Sequence, residues 1–173
     1  MMYSKEPSQF LVENINLLPK GRALDLAMGS GRNSIYLAKR GFEVEGVDLS
    51  PEAVSEAIKG AEKARVTIKA HIVNLEKDFH IKSGAYDLII CFNYLQRSLT
   101  QQIKDGLRVG GVVVYETFII DHARFGKPNN PNYLLEHNEL LWMFKEFRCL
   151  LYREGIFEDK KAIASIVAEK VKA

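Results

Sequence analysis

Apolar positions along this chain switch repeatedly between a helical and an extended period. Phe10, Leu11, Ile15, Leu17 and Leu18 fall on one face of a helix, which Pro19 and Gly21 stop. Residues 22–27 form a short apolar strand, 33–39 a helix ended by Gly41, and 42–47 an alternating second strand. Ser50 followed by Pro51 starts the next helix, because the hydroxyl caps and proline fits the first turn. That helix runs to about residue 64, and 66–73 is a third strand. Residues 86–92 are almost continuously apolar, as in a strand buried on both faces. A helix over 100–107, a turn at Gly110 and Gly111 and a strand over 112–118 follow. The loop 121–132 is rich in turn formers, and 136–145 reads as the last helix. Residues 147–153 and 162–169 are extended runs with no helix between them, so they pair as an antiparallel hairpin.

Strands alternating with helices predict an α/β fold with a doubly wound, mostly parallel sheet. The terminal hairpin makes it seven-stranded with one reversed strand. At 173 residues a single domain over 1–173 is the default.

Composition narrows the partners. A formal net charge of +2 is too small to imply nucleic acid or an anionic membrane surface. No apolar run approaches the ~18 residues of a membrane span. The polar start over 1–9 and the two distant cysteines imply a cytoplasmic protein with Cys91 and Cys149 as buried free thiols. His71, His80 and His137 share no ligand spacing, so no metal site is expected.

The chemistry is concentrated in residues 23–50. The first strand ends at Ala27 and runs into Met28-Gly29-Ser30-Gly31. In an open α/β sheet, ligands bind beyond the carboxyl ends of the strands where the order switches. Glycines there let the backbone approach a ligand, and the helix start at Arg32 and Asn33 offers free N–H groups to an anion. Asp48 ends the second strand, placed to accept hydrogen bonds from both hydroxyls of a ribose. This much fits NAD and S-adenosylmethionine equally. Three features separate them. Ser34 stands where a dinucleotide fingerprint has its third glycine. Asp25 puts a carboxylate inside the first strand, where dinucleotide folds have an apolar residue. The reversed terminal hairpin is the third.

On these residues the chain resembles the class I S-adenosylmethionine-dependent methyltransferases, and among them the small tellurite-resistance-type enzymes. The resemblance lies in Leu24-Asp25-Leu26, Gly29-Ser30-Gly31-Arg32-Asn33-Ser34, Tyr36-Leu37-Ala38, Asp48, Asn74-Leu75-Glu76, Tyr86-Asp87-Leu88 and Gly110-Gly111. It implies a Rossmann-like methyltransferase fold with S-adenosylmethionine as cofactor and S-adenosylhomocysteine as product. By resemblance, Asp25, Ala27, Gly29, Gly31, Arg32 and Asn33 surround the methionyl part. Asp48 holds the ribose, Leu49 and Leu75 flank the adenine with Asn74 and Glu76 at its amine, and Phe92 lines the methyl side. Departures are Ala27 in place of a glycine, the bulkier Met28, and Asn74 in place of an aspartate. Relatives also carry an aromatic-rich segment ahead of the first helix. Here Tyr3-Ser4-Lys5-Glu6-Pro7 implies a shortened or absent cap.

Polar groups expected beyond the fourth and fifth strands are Tyr94, Gln96, Arg97, Glu116, Thr117, His122 and Arg124. Tyr94, Glu116 and His122 are the candidate catalytic groups, and Arg97 and Arg124 the candidates for holding an anionic acceptor. The loop 125–132 is a candidate lid. Cys91-Phe92-Asn93-Tyr94 has no proline, unlike the Asn/Asp-Pro-Pro-aromatic run of nucleic-acid amino-methyltransferases. The expected acceptor is therefore a small molecule; the resemblance implies a chalcogen oxyanion or a thiol, and the protein is expected to be a monomer or homodimer. The alternatives are a non-catalytic S-adenosylmethionine-binding protein and an NAD-linked enzyme.

Overall fold

The computed structural model describes residues 4–77, 79–158 and 160–173. Its centre is a seven-stranded sheet in the order β3-β2-β1-β4-β5-β7-β6. The strands are β1 (Arg22–Leu26), β2 (Glu43–Asp48), β3 (Ile68–Ile72), β4 (Tyr86–Phe92), β5 (Leu107–Phe118), β6 (Arg148–Phe157) and β7 (Lys161–Glu169). β1 to β5 are parallel, and β7 lies antiparallel between β5 and β6. The alternation of elements and the hairpin are as the sequence predicts. The chain winds outward from β1 to β3, then returns to start β4 on the other side of β1. The strand order thus reverses between β1 and β4, and a crevice opens at their carboxyl ends.

Two layers of helix close the sheet. On one side α1 (Gln9–Glu13) and α2 (Arg32–Lys39) bury Phe10, Leu11 and Leu37 against Ala23, Leu88, Ile90, Val112 and Val114. On the other, α4 (Thr100–Gly106) and α5 (Glu139–Met143) bury Ile103, Leu140 and the adjoining Phe144 against Leu24, Ile89, Val113 and Ile166. α3 (Pro51–Lys63) packs Val54 and Ala57 on Met28. Ser50 Oγ caps it by accepting from Ala53 N at 3.2 Å. β4 is sealed on both faces, which explains its unbroken apolar run.

Several boundaries differ from the sequence reading, each for a local reason. The first helix stops at Glu13 because Asn14 Nδ2 donates to the Phe10 carbonyl (2.8 Å), a side chain competing with the backbone ladder. The last helix is shortened to 139–143. Asn138 adopts φ 65° and gives its N–H to Glu154 Oε1, so a tertiary contact sets the start. Gly110 and Gly111 lie inside β5, not ahead of it. Gly110 is at φ 87°, and a Cβ on Gly111 would meet the Arg108 carbonyl oxygen at 2.8 Å. The loop 121–132 contains 3-10 turns at Ile120–Arg124 and Pro131–Tyr133. Cys91 is buried, but Cys149 is exposed: a register shift between Cys149 and Leu151 changes which side chains of edge strand β6 face the core. No helix among the described residues is long and apolar enough to cross a membrane.

Ile90 is fully buried in the central strand. Ile90→Ala is expected to lower stability by about 3–4 kcal/mol, through lost transfer energy and the cavity left behind. The midpoint of urea unfolding measures it.

Candidate active site at the reversal of strand order

The site is built on the turn after β1. Ala27 takes φ 54°, a left-handed conformation unusual for a residue with a Cβ, and Gly29 and Gly31 follow at 58° and 82°. Gly31 N donates to the Met28 carbonyl (3.1 Å), closing the turn. A Cβ on Gly31 would lie 2.7 Å from that of Ala57, so glycine there lets α2 and α3 close together. A Cβ on Gly29 would meet nothing within 4 Å, so the turn is open on that side.

Asp48 locks this turn to the next strand. Its Oδ2 accepts from Gly29 N (2.8 Å) and its Oδ1 from Ser50 N (2.9 Å). One half-buried carboxylate therefore ties the glycine turn to the start of α3. Beside it Leu49 is 63% exposed, an apolar side chain presented to the crevice mouth. Asn74 Oδ1 accepts from Glu76 N (2.9 Å), shaping the turn that carries the buried Leu75. The Leu75 carbonyl accepts from Gln96 Nε2 (2.9 Å), and Gln96 Oε1 accepts from the Tyr94 hydroxyl (2.6 Å). The Asp48 carbonyl accepts from Val73 N (2.9 Å), so Asp48, Asn74, Leu75, Glu76 and Tyr94 are joined along one rim with Leu49 beside them.

On the other side of the turn, Asn33 and Arg32 reach toward the N-terminal segment. Asn33 Oδ1 accepts from Ser8 N (2.8 Å), and Arg32 Nη1 donates to the Glu6 carbonyl (3.0 Å). Residues 6–8 are fastened across the start of α2, where the sequence implies a shortened or absent cap. Asp25 lies below, fully buried, and accepts from Ser34 Oγ (2.7 Å). Burial pushes its carboxyl up to about 7, against the pull of Ser34 and the Arg32 charge.

The groups expected to do chemistry are distributed less simply. Tyr94 has its phenol pushed up to about 12, by burial first and then by Glu76 and other negative neighbours, so at neutral pH it stays protonated and is no base. His122 is buried. Its Nδ1 accepts from Ala162 N (3.3 Å), its Nε2 faces the Lys127 carbonyl (3.2 Å), and its ring stacks on Phe118. With both ring nitrogens engaged, it anchors the loop. Arg97 gives Nε and Nη2 to Glu139 (2.6 and 2.9 Å) and further bonds to the Asn132 and Leu134 carbonyls (3.3 and 3.0 Å). It is a brace between segments, with four of its five N–H donors engaged. Arg124 is exposed and pairs with Asp121 (3.3 Å). The candidate lid is held by His122 at 127, by Arg97 at 132 and 134, and by the bridge between Ile119 and Leu135. It is a fixed wall.

Glu116 is buried level with Phe92, to which it pairs across β4 and β5. Its Oε2 accepts from Ser165 Oγ (2.5 Å) and Arg153 Nη2 (3.3 Å). Thr117 beside it is buried with its side chain on the opposite face. Asn93 follows at φ 58° and gives its N–H to the Glu116 carbonyl. Sequence reading missed Arg153, Ser165 and Phe10, because only the register of β5, β7 and β6 brings them together. The single available signal was an arginine at an alternating position of the hairpin. Among the described residues no group of three or more His, Cys, Asp or Glu is placed to hold a metal ion.

Asp25 gives this site a pH signature. A carboxyl raised from an ordinary value to about 7 by folding contributes stability that is complete below about pH 4 and lost as pH rises through 7. Relative to Asp25→Asn, the native chain should lose stability between pH 4 and 7. Parallel thermal melts across that range test this, and equal slopes for both proteins would contradict it.

Residues 23–111, half of the chain, match the family described as a methyltransferase domain. The chain is 30% identical over 111 residues to an uncharacterized methyltransferase of Synechocystis, covering 60% of this chain and 50% of that protein. It is 25% identical over 159 residues to TehB of Haemophilus influenzae, a probable S-adenosyl-L-methionine-dependent methyltransferase, covering 87% and 54%. The crystal structure of TehB superposes with a TM-score of 0.78 at 20% identity, over 94% of this chain and 62% of that one. A SAM-dependent methyltransferase of Methanosarcina mazei superposes with a TM-score of 0.73 at 17% identity, over 97% and 100%. The chain spans about half or less of the length of the curated relatives it matches. With the family match lying over the glycine turn, Asp48 and β4, the chain belongs to the class I S-adenosylmethionine-dependent methyltransferases.

Proposed function

We propose that this protein transfers the methyl group of S-adenosylmethionine to a small acceptor that brings its own lone pair, a chalcogen oxyanion or a thiol. The observation that carries the cofactor half is the Asp48 carboxylate, fixed between Gly29 and Ser50 beside an open glycine turn. The residues present fit an adenosine carrying an amino-acid tail. Asp48 is oriented to accept from ribose hydroxyls with the remaining lone pairs of its two oxygens. Leu49 and Leu75 offer apolar surface to a base, with Asn74 and Glu76 as polar neighbours. The backbone at Gly29 and the first turn of α2, which includes Arg32 and Asn33, suit the tail's carboxylate, with Asp25, Ala27 and Gly31 shaping that turn and Phe92 below the methyl side. When bound, S-adenosylmethionine supplies a methyl group on a positively charged sulfur, open to in-line displacement.

The acceptor half rests on what the side chains leave out. Tyr94 stays protonated, His122 is spent on the loop, and Glu116 is tied to Ser165 and Arg153. Each of the three is thus already engaged within the protein. Oxygen and nitrogen nucleophiles generally require a base, whereas a thiolate or a chalcogen oxyanion does not. For these the protein's work is to align the acceptor and exclude water. The wall formed by 119–135 and the fastened segment 6–8 supports that reading, as does the likeness to TehB.

Asp48→Ala should weaken S-adenosylhomocysteine binding about 100-fold by calorimetry, the loss of two hydrogen bonds to a charged group. The native chain should transfer label from methyl-labelled S-adenosylmethionine to selenite, tellurite or a thiol. Cofactor binding without transfer to any of them would favour a binding protein, and binding of NAD alone would overturn the proposal.

A further inference from the structure

Arg153 lies on the outermost strand, yet its guanidinium does not stay there. Glu116, Ser165 and Arg153 are paired across β5, β7 and β6, so their side chains share the face covered by α1. Arg153 reaches inward along this row until Nη2 is 3.3 Å from Glu116 Oε2 and Nε is 3.3 Å from Ser165 Oγ. Its charged head therefore sits beside β5, the immediate neighbour of β4, at the level of Phe92. Strands lie about 5 Å apart, so the head is one strand from the end of β4, where the methyl group would be delivered.

The head is built in. It lies over the rings of Phe10 (5.1 Å) and Phe157 (4.7 Å) and is paired to a carboxylate that is 5% exposed. Nevertheless the Arg153 side chain keeps 38% of its surface open. With Nε on Ser165 and Nη2 on Glu116, Nη1 has no hydrogen-bond partner among the described residues. A guanidinium fixed on one edge and free on the other is pre-organised for an oxyanion. The two arginines that sequence reading offers for this task are committed elsewhere, Arg97 to Glu139 and two carbonyls, Arg124 to Asp121.

We propose that Arg153, held by Glu116, Ser165, Phe10 and Phe157, is the residue that reads the negative charge of the acceptor. The proposal rests on the methyltransferase reading above and narrows its acceptor to an oxyanion. Methylation of selenite then needs no base: the selenium lone pair forms the new bond to carbon, and the carbon–sulfur pair leaves on sulfur.

The test uses three proteins: the native chain, Arg153→Lys, and the double variant Arg153→Met/Glu116→Gln, which removes the ion pair without leaving a lone buried charge. Thermal melts and S-adenosylhomocysteine calorimetry establish folding and cofactor binding. With selenite and tellurite as acceptors, both variants should raise KM at least tenfold, while S-adenosylhomocysteine affinity and KM for dithiothreitol, which has no oxyanion oxygens for a guanidinium to hold, stay within twofold. Equal KM for the oxyanions in native and variant proteins would overturn the role of Arg153. So would a parallel loss for dithiothreitol, which would mark a structural residue, or native turnover of thiols with none of oxyanions. Failure of the native chain to bind S-adenosylhomocysteine would instead overturn the methyltransferase reading itself.

Discussion

The Asp48 carboxylate is the point through which the site is organised. A parallel sheet leaves the ends of its strands to be connected independently, and the ladder between β1 and β2 reaches only as far as Met28, whose N–H donates to the Val47 carbonyl (3.0 Å). Asp48 holds the turn beyond it by accepting from Gly29 on one side and Ser50 on the other. The turn is not relaxed. Ala27 sits in a left-handed conformation that costs roughly 1–2 kcal/mol for a residue with a Cβ. Bonds to a charged acceptor contribute on the order of 1.5–3 kcal/mol each, enough to offset that strain. The same carboxylate thus braces the turn and, in the function proposed above, is the group that would accept from a ribose.

Around this point the polar residues divide into those that hold walls and those that face the crevice, and their chemical type does not predict which. Arg97, His122 and Asn138 hold segments together. Tyr94 and Gln96 join the end of β4 to the turn at Leu75. The catalytic economy of the proposed reaction follows from that division. A site whose titratable groups are occupied in structure suits an acceptor that arrives already ionised.

Local features carried much of this architecture in the sequence, and long-range ones did not. β4 was legible because every position faces a covered layer, and the start of α3 because Ser50 and Pro51 encode a cap by themselves. The glycine turn and Asp48 were legible because a ligand-binding turn needs those residue types within a short span. The shortened α5 was not, since Asn138 is bent by Glu154, sixteen residues later. Cys149 was misplaced because one register shift in an edge strand exchanges its faces. Arg153 went unseen for a similar reason: it meets Glu116 across 37 residues and through an intervening strand.

The pinning of residues 119–135 has a bearing on traffic through the site. Three independent fastenings make that wall a poor door: the ring of His122, the fork of Arg97 and the bridge to Leu135. Residues 6–8, by contrast, are secured to α2 by two hydrogen bonds, one of them from the half-buried Arg32 to the carbonyl of the exposed Glu6. Passage of ligands is therefore cheapest on the amino-terminal side, where the fewest interactions must break. The rate at which product departs would then be governed by a short stretch of chain that lies outside the sheet.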